Sequence, residues 1–167
     1  MPGKSERRIF MGQLLNQEVL IEVIKNLQNN NIKIAATNGC FDILHIGHVE
    51  YLKSAKAFAD VLIVGLNSDK SVKMLKGETR PINSQNDRAG VLCALNSVDY
   101  VVIFDEQSPI ELFKKIKPDI YVKGGDYTID TLPEAKPLLN LGVDIRFVDF
   151  IKGKSTSNII EKTKNNH

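Results

Sequence analysis

An uninterrupted apolar run, VLIVGLN at residues 61–67, most constrains how this chain can fold. A strand that faces water on one side alternates apolar and polar residues, whereas a continuous run indicates a strand covered on both faces. Further apolar runs occur in KIAATNG, DYVVIF, DIYVK and VDIRFV, and segments with helical spacing lie between them. This alternation predicts an α/β fold: a single Rossmann-like, three-layer domain with an open, parallel, five-stranded sheet.

The length and composition fit one globular unit. The chain has 167 residues, of which 43% are hydrophobic and 25% charged, as is typical of soluble domains. We expect an N-terminal extension and an amphipathic helix in residues 1–30, followed by the main domain in residues 31–163. Because ligands of open α/β sheets bind at the carboxyl ends of the strands, the candidate site residues should lie there.

Charge and cysteine usage exclude several classes of protein. The net charge is only +2 and the lysines are scattered, so we expect no nucleic-acid partner. Cys40 and Cys93 lack the spacing of metal ligands, and we expect no metal held by protein side chains. No apolar run reaches the roughly 18 residues of a membrane span. The start, MPGKSERRIF, lacks the apolar stretch of a secretion signal, so we expect a cytoplasmic protein without a membrane partner.

The segment that indicates chemistry is TNGCFDILHIGH at residues 37–48, where the first long strand gives way to a helix. A helix N-terminus offers unpaired N–H groups and a partial positive charge, so it binds phosphate readily. Gly47 permits close approach of the backbone there. His45 and His48 flank this glycine and can donate hydrogen bonds to phosphate oxygens as charge develops on them.

His45-Ile46-Gly47-His48 matches the HxGH signature of the nucleotidylyltransferase superfamily. The longer strings NGCFDILHIGHVEYL, LKGETRPIN, RAGVLCALNSVDYVV, DIYVKGGDY and STSNII resemble the heptose-1-phosphate adenylyltransferase family, which also occurs as the second domain of a bifunctional kinase and adenylyltransferase. The resemblance covers roughly residues 30–161 and identifies residues 31–163 as a nucleotidylyltransferase domain.

The resemblance implies transfer of AMP from ATP to a sugar 1-phosphate. The expected acceptor is D-glycero-D-manno-heptose 1-phosphate, and the products are ADP-heptose, a precursor of lipopolysaccharide, and pyrophosphate. It also implies that His45 and His48 stabilise the transition state at the α-phosphate. By the same resemblance, Asp42 is expected beside the phosphates, and Phe41 and the backbone around it, namely Asn38, Gly39 and Cys40, are expected to hold the nucleotide. Mg²⁺ is expected with ATP, because a triphosphate must be partly neutralised before an anion attacks it.

The remaining candidates are cations, strand ends and hydroxyl groups. Residues 68–83 form the longest irregular stretch, which predicts a lid over the phosphates. Lys76 is expected at the reacting phosphates, and Lys73 and Arg80 are expected to bind the acceptor. Asn67 and Asp69, at the end of the second long strand, are further acceptor candidates. The nucleotide candidates outside the HxGH segment are Arg88, Lys123, Gly124, Asp126, Tyr127, Ser155 and Thr156.

Several alternatives remain open at this stage. A cytidylyltransferase acting on glycerol 3-phosphate, or an enzyme for another small phosphorylated acceptor, would share the fold and the HxGH motif. The glycerol 3-phosphate enzymes resemble one another in an RTxGISTT motif near the C-terminus, where this chain has GKSTSNII. A non-catalytic nucleotide-binding module is a third possibility, although both histidines and the Ser/Thr cluster are present. For the assembly we expect a homodimer, the commonest soluble oligomer.

Overall fold

The computed structural model describes residues 11–165, and within them six parallel strands form one open sheet. The five predicted long strands are all present, but the predicted number of strands was one too low. A two-residue strand near the N-terminus adds the sixth. The strands are β1 Gln13–Leu14, β2 Ile34–Gly39, β3 Val61–Asn67, β4 Tyr100–Phe104, β5 Ile120–Gly124 and β6 Asp144–Val148, in the order β1-β4-β3-β2-β5-β6.

Helices cover both faces of the sheet, as the apolar runs predicted. The helices are α1 Gln17–Asn29, α2 Ile46–Lys56, α3 Asp69–Lys76, α4 Gln85–Cys93, α5 Ile110–Ile116, α6 Ala135–Leu139 and α7 Thr156–Lys164. Side chains of α1, α5 and α6 pack on one face, which we call the α1 face, and side chains of α2 and α4 pack on the other, the α2 face.

The two faces can be followed along β3, where Ile63 packs on the α1 face and Leu62 and Val64 pack on the α2 face. All three side chains are fully buried. This alternation of direction within a continuous apolar run is what a strand buried on both faces requires. The Rossmann-like three-layer prediction is therefore confirmed.

Helix α1 lies on the α1 face, with Leu20 and Ile24 buried in the same core cluster as strand residues. The predicted boundary at residue 30 falls in the turn between this helix and β2. Residues 1–10, on which the argument against a secretion signal rested, lie outside the described residues, as does His167. Within residues 11–165, no helix is long and apolar enough to cross a membrane.

The stretch predicted as one long loop contains helix α3, so the expectation of an irregular segment over residues 68–83 was wrong. Ser68 caps the helix by accepting a hydrogen bond from the Ser71 amide at 3.1 Å. Val72 is buried beneath it, and Gly77, with φ of 99°, ends it. Only residues 77–84 remain as a loop before α4.

Candidate active site

A cavity of about 630 Å³ opens at the carboxyl ends of the strands, where ligands of parallel α/β sheets bind. Its volume lies within the range of small-molecule sites, about 300–1,000 Å³. The cavity brings together most of the residues predicted from the sequence. Those that line it are Asn38, Gly39, Cys40, Phe41, Asp42, His45, Gly47, His48, Asn67, Lys76, Arg80, Lys123, Gly124, Tyr127, Ser155 and Thr156.

The two histidines cap the start of α2 through their Nδ1 atoms. The Gly47 amide donates to His45 Nδ1 at 3.1 Å, and the His45 amide donates to His48 Nδ1 at 3.3 Å. An Nδ1 that accepts a hydrogen bond carries no proton, so each neutral imidazole carries its proton on Nε2. The helix cap therefore sets both tautomers and leaves two Nε2–H donors for a ligand.

The imidazole rings are held against each other and against neighbouring groups. The His45 and His48 rings stack with centroids 3.9 Å apart, and the edge of Phe41 packs on His48 with centroids 5.2 Å apart. A Cβ atom on Gly47 would lie 2.9 Å from the His45 ring. Glycine is therefore needed at this position because a side chain would push the first imidazole away.

Burial keeps both imidazoles neutral. It lowers the pKa of His48 to about 4, with a smaller contribution from the adjacent His45. Burial and the charge of Lys154 also lower the pKa of His45 from its ordinary value of 6.5. Near neutral pH the pair can donate hydrogen bonds without carrying charge, and an arriving anion would favour the charged form.

Asp42 anchors the loop between α3 and α4. Its carboxylate accepts hydrogen bonds from Arg80 Nε at 2.7 Å and from the amides of Ile82 and Asn83 at 2.9 Å. Burial alone would raise the pKa of Asp42, but these hydrogen bonds outweigh it and hold the pKa below the ordinary value of 3.8. Asp42 thus fixes Arg80 at the cavity wall, while the other guanidinium N–H groups remain to serve as donors.

Four predicted residues do not line the cavity: Asp69, Lys73, Arg88 and Asp126. Lys73 and Asp126 are exposed. Asp69 binds Arg88 Nη2 at 2.8 Å. Lys76, the last residue of α3, lines the cavity, whereas Lys73, one turn earlier, does not.

Arg88 is buried and uses its donors on the backbone of the segments that form the cavity floor. Its Nη1 donates to the carbonyl oxygens of Cys40 at 2.6 Å and Asn67 at 2.8 Å, and its Nε donates to Asn83 at 3.0 Å. The guanidinium therefore joins the ends of β2 and β3 to the loop before α4. Cys40 stays a thiol, because burial raises its pKa.

Helix α7 closes the cavity next to the histidines. Ser155 caps it by accepting from the Asn158 amide at 3.1 Å, and the Thr156 hydroxyl donates to the Ile43 carbonyl at 3.1 Å. The Thr156 hydroxyl thus holds α7 against the segment that precedes the two histidines, whereas the Ser155 hydroxyl caps its own helix. Lys154, which precedes them, lines the cavity too.

The structure adds lining residues that the sequence interpretation missed. Lys154 had a recognisable signal, because a cation directly before a Ser/Thr cluster reinforces an anion site. Phe150 lies over Gly124, where an added Cβ would approach its ring to 2.6 Å. Ser157 belongs to the Ser/Thr cluster that the sequence already indicated, and it lines the cavity as well. The others gave no signal of their own in the sequence: Tyr51, Leu75, Gln107, Pro109, Glu134 and Ile151.

The charges that line the cavity favour an anionic ligand. Four cationic side chains, those of Lys76, Arg80, Lys123 and Lys154, line the cavity together with two carboxylates, those of Asp42 and Glu134. Arg80 pairs with Asp42, so the positive charge that remains in excess comes from the lysines. Lys123 also lies over the Tyr127 ring, 5.4 Å from its centroid. Together with two Nε2–H donors at a helix N-terminus, these cations form a site suited to phosphate groups.

Replacing Arg88 by Met should destabilise the fold by about 2–4 kcal/mol, because buried carbonyl oxygens lose their donors. Urea denaturation measures this loss. The matched control is Lys73→Met on the exposed side of α3, which should change the free energy of unfolding by less than about 0.5 kcal/mol. Equal stability of Arg88→Met and Lys73→Met would contradict the structural role of Arg88.

Acidification should weaken the fold in the window set by His48. Because its pKa is about 4 in the folded chain and 6.5 ordinarily, the unfolded chain takes up a proton between these values that the folded chain does not. His48 therefore contributes to the free energy of unfolding fully above pH 6.5, and this contribution is lost as pH drops towards 4. His48→Asn retains a cap acceptor without titrating, so its stability should decline less over this window. If the free energies of unfolding of wild type and His48→Asn changed in parallel with pH, the lowered pKa of His48 would be refuted.

Comparison with known proteins agrees with this geometry. A model of the cytidylyltransferase-like family matches residues 36–162. The bifunctional protein HldE of Wolinella succinogenes is 50% identical over 162 residues, which cover 96% of this chain and 32% of that protein. HldE of Campylobacter jejuni subsp. jejuni serotype O:2 is 52% identical over 166 residues, covering 96% and 34%. The chain thus spans about a third of the length of the curated relatives it matches.

One solved structure also resembles the chain. The lipopolysaccharide core biosynthesis protein from Thermoplasma volcanium GSS1 aligns with a TM-score of 0.59 and 30% sequence identity, over 74% of this chain and 99% of that one. The match of the family model extends from the first long strand through the HxGH segment to helix α7. The chain therefore belongs to the cytidylyltransferase-like family.

Proposed function

We propose that the chain is an adenylyltransferase that transfers AMP from ATP to D-glycero-D-manno-heptose 1-phosphate and releases pyrophosphate. The observation that carries the proposal is the pair of stacked imidazoles at the start of α2, each with its Nε2–H free, in a cavity lined by cations. The identity with HldE proteins and the resemblance of the sequence motifs support a sugar phosphate as the acceptor.

The reaction in this proposal is a displacement at the α-phosphorus of ATP. An oxygen of the acceptor phosphate forms a bond to that phosphorus, and the bond to the bridging oxygen of the β-phosphate breaks. The electron pair leaves with pyrophosphate. The second pKa of a phosphate monoester is near 6, so the attacking oxygen needs no general base near neutral pH.

The histidines act in this reaction by binding charge. His45 and His48 donate their Nε2–H groups to oxygens of the α-phosphate, where negative charge increases in the transition state. Lys76, Arg80 and Lys154 neutralise the leaving pyrophosphate and the approaching acceptor phosphate, and so reduce the repulsion between the two anions. Positioning and charge stabilisation account for catalysis.

We propose that ATP enters as its magnesium complex. Among residues 11–165, no group of three or more His, Cys, Asp or Glu side chains is placed to hold a metal ion. Asp42, the carboxylate that the resemblance places beside the phosphates, already accepts hydrogen bonds from Arg80, Ile82 and Asn83. This arrangement favours a cation held mainly by triphosphate oxygens and water, as is usual for Mg²⁺.

The proposal keeps two further predictions from the sequence, a homodimer and a cytoplasmic location. Analytical ultracentrifugation of the purified chain tests the first. Fractionation of cells that express the full-length protein tests the second.

Purified protein should release pyrophosphate from MgATP only when heptose 1-phosphate is present, and CTP should be a poorer donor. His48→Asn should lower kcat by about a hundredfold or more, since one preorganised donor is lost. The control is Lys53→Met, which lies on α2 with its side chain 60% exposed and should be unaffected.

The same assay separates the competing functions. Strong turnover of CTP with glycerol 3-phosphate, and none of ATP with heptose 1-phosphate, would replace the proposed substrates and leave the chemistry of the histidines in place. Nucleotide binding without pyrophosphate release for any acceptor would identify a non-catalytic module. Full activity of His48→Asn would contradict the mechanism.

A further inference from the structure

One carboxylate in the cavity has no role in the reaction described above. Glu134, directly before α6, is 7% exposed and lines the cavity. It does not cap α6, and its Oε2 has no hydrogen-bond partner within residues 11–165. A buried acceptor without a partner is unfavourable for the free protein, and such an atom in a cavity indicates a group that a ligand satisfies.

Tyr121 is a polar neighbour of Glu134. The Tyr121 hydroxyl donates to Asn38 Oδ1 at 2.6 Å, and Asn38 lines the cavity at the end of β2. Burial and the neighbouring Glu134 carboxylate raise the pKa of Tyr121 well above its ordinary value of 10.0, so this hydroxyl keeps its proton. The amides of Asn67 and Gln107 line the cavity as well.

Glu134 and Tyr121 belong to a different face of the sheet from the histidines. Tyr121 packs on the α1 face of the sheet, and α6 packs on that face too, with Ala135 and Leu138 in the same core cluster. His45 and His48 belong to α2, which covers the opposite face. The imidazoles and Glu134 therefore belong to elements on opposite faces of the sheet, and both line the same cavity.

Charge determines what that second end can be. A carboxylate repels phosphate, and the cations that attract phosphate are Lys76, Arg80, Lys123 and Lys154. Glu134 instead favours an uncharged group that donates hydrogen bonds, such as a sugar hydroxyl. Another part of the cavity is apolar and suits the stacking of a planar nucleotide base. It is formed by the ring of Phe150, which lies over Gly124 and Gly125, and by Ile151.

We propose that Glu134 accepts hydrogen bonds from hydroxyl groups of the acceptor sugar and thereby selects polyhydroxylated phosphates over simple ones. The proposal rests on the proposed function, because it assigns the hydroxyl-binding part of the same acceptor site. In this assignment Glu134 is a specificity residue that contacts the substrate far from the bonds that change.

The test compares Glu134→Gln with wild type by calorimetric binding of heptose 1-phosphate and of methyl phosphate, with α,β-methylene ATP present. The Gln variant keeps the shape of the side chain and removes its charge. It should bind heptose 1-phosphate about ten- to a hundredfold more weakly, the scale of a hydrogen bond to a charged group. Its affinity for methyl phosphate and for the nucleotide analogue should not change. The control is Glu111→Gln on α5, where the carboxylate pairs with Lys114 in solvent.

Stability distinguishes a ligand-binding role from a structural one. Since Oε2 lacks a partner, Glu134→Gln should melt at the same or a higher temperature than wild type. A lower melting temperature together with equal losses for all three ligands would overturn the proposal. Selective loss of the nucleotide analogue would also overturn it, by assigning Glu134 to ribose or base.

Two results with wild type complete the test. Equal affinity of wild type for methyl phosphate and heptose 1-phosphate would show that no hydroxyl subsite exists, whatever Glu134→Gln does. Turnover of heptose 1-phosphate with unchanged affinity in Glu134→Gln would leave the proposed function standing and overturn only the role of Glu134. Absence of turnover and binding for every sugar phosphate would refute both.

Discussion

The arrangement of the site depends on the reciprocal cap at the start of α2. Two backbone amides that a helix leaves unpaired, those of His45 and Gly47, each donate to an imidazole Nδ1. The same hydrogen bonds that start the helix therefore decide where each ring carries its proton. Local structure and chemistry are coupled here, because a side chain that failed to cap would also present the wrong nitrogen to phosphate.

Several buried polar contacts hold this cap over the sheet. The Tyr51 hydroxyl bonds Thr37 at 2.6 Å and donates to the Val122 carbonyl at 3.0 Å, which ties α2 to β2 and β5. Arg88 and Asp42 perform the same task for the strand ends and the loop that carries Arg80. Buried polar contacts thus support the cavity at several points, and such contacts hold a site rigid only when their members are satisfied. Among the buried side-chain nitrogen and oxygen atoms of the described residues, Glu134 Oε2 is the exception.

The sequence predicted what depends on periodicity and motif. Continuous apolar runs identified five parallel strands, and the HxGH segment located the site at the end of β2. Strand β1 was not predicted because two residues are too few to show a pattern of alternating apolar side chains. Helix α3 was missed although Ser68 and Gly77 mark its ends, because one turn of buried side chains gives a weak pattern. The structural role of Arg88 could not be predicted. The sequence does not show whether an arginine lines a cavity and binds a ligand or lies beneath the cavity and binds backbone carbonyl oxygens. Glu134 was not predicted because it lies in the connection between β5 and α6, and no motif marks its position at the cavity.

The central claim is that His45 and His48 present neutral imidazoles with the proton on Nε2. Long-range nitrogen–proton NMR correlation of the two rings tests it directly, and a chain with three histidines keeps the assignment simple. At pH 7 we expect an unprotonated Nδ1 and a protonated Nε2 in both rings, with His48 still neutral at pH 5, and a change at Nε2 when a nucleotide analogue binds. An Nδ1–H tautomer in either ring, or a His48 imidazolium at pH 7 without ligand, would contradict this role of the histidines.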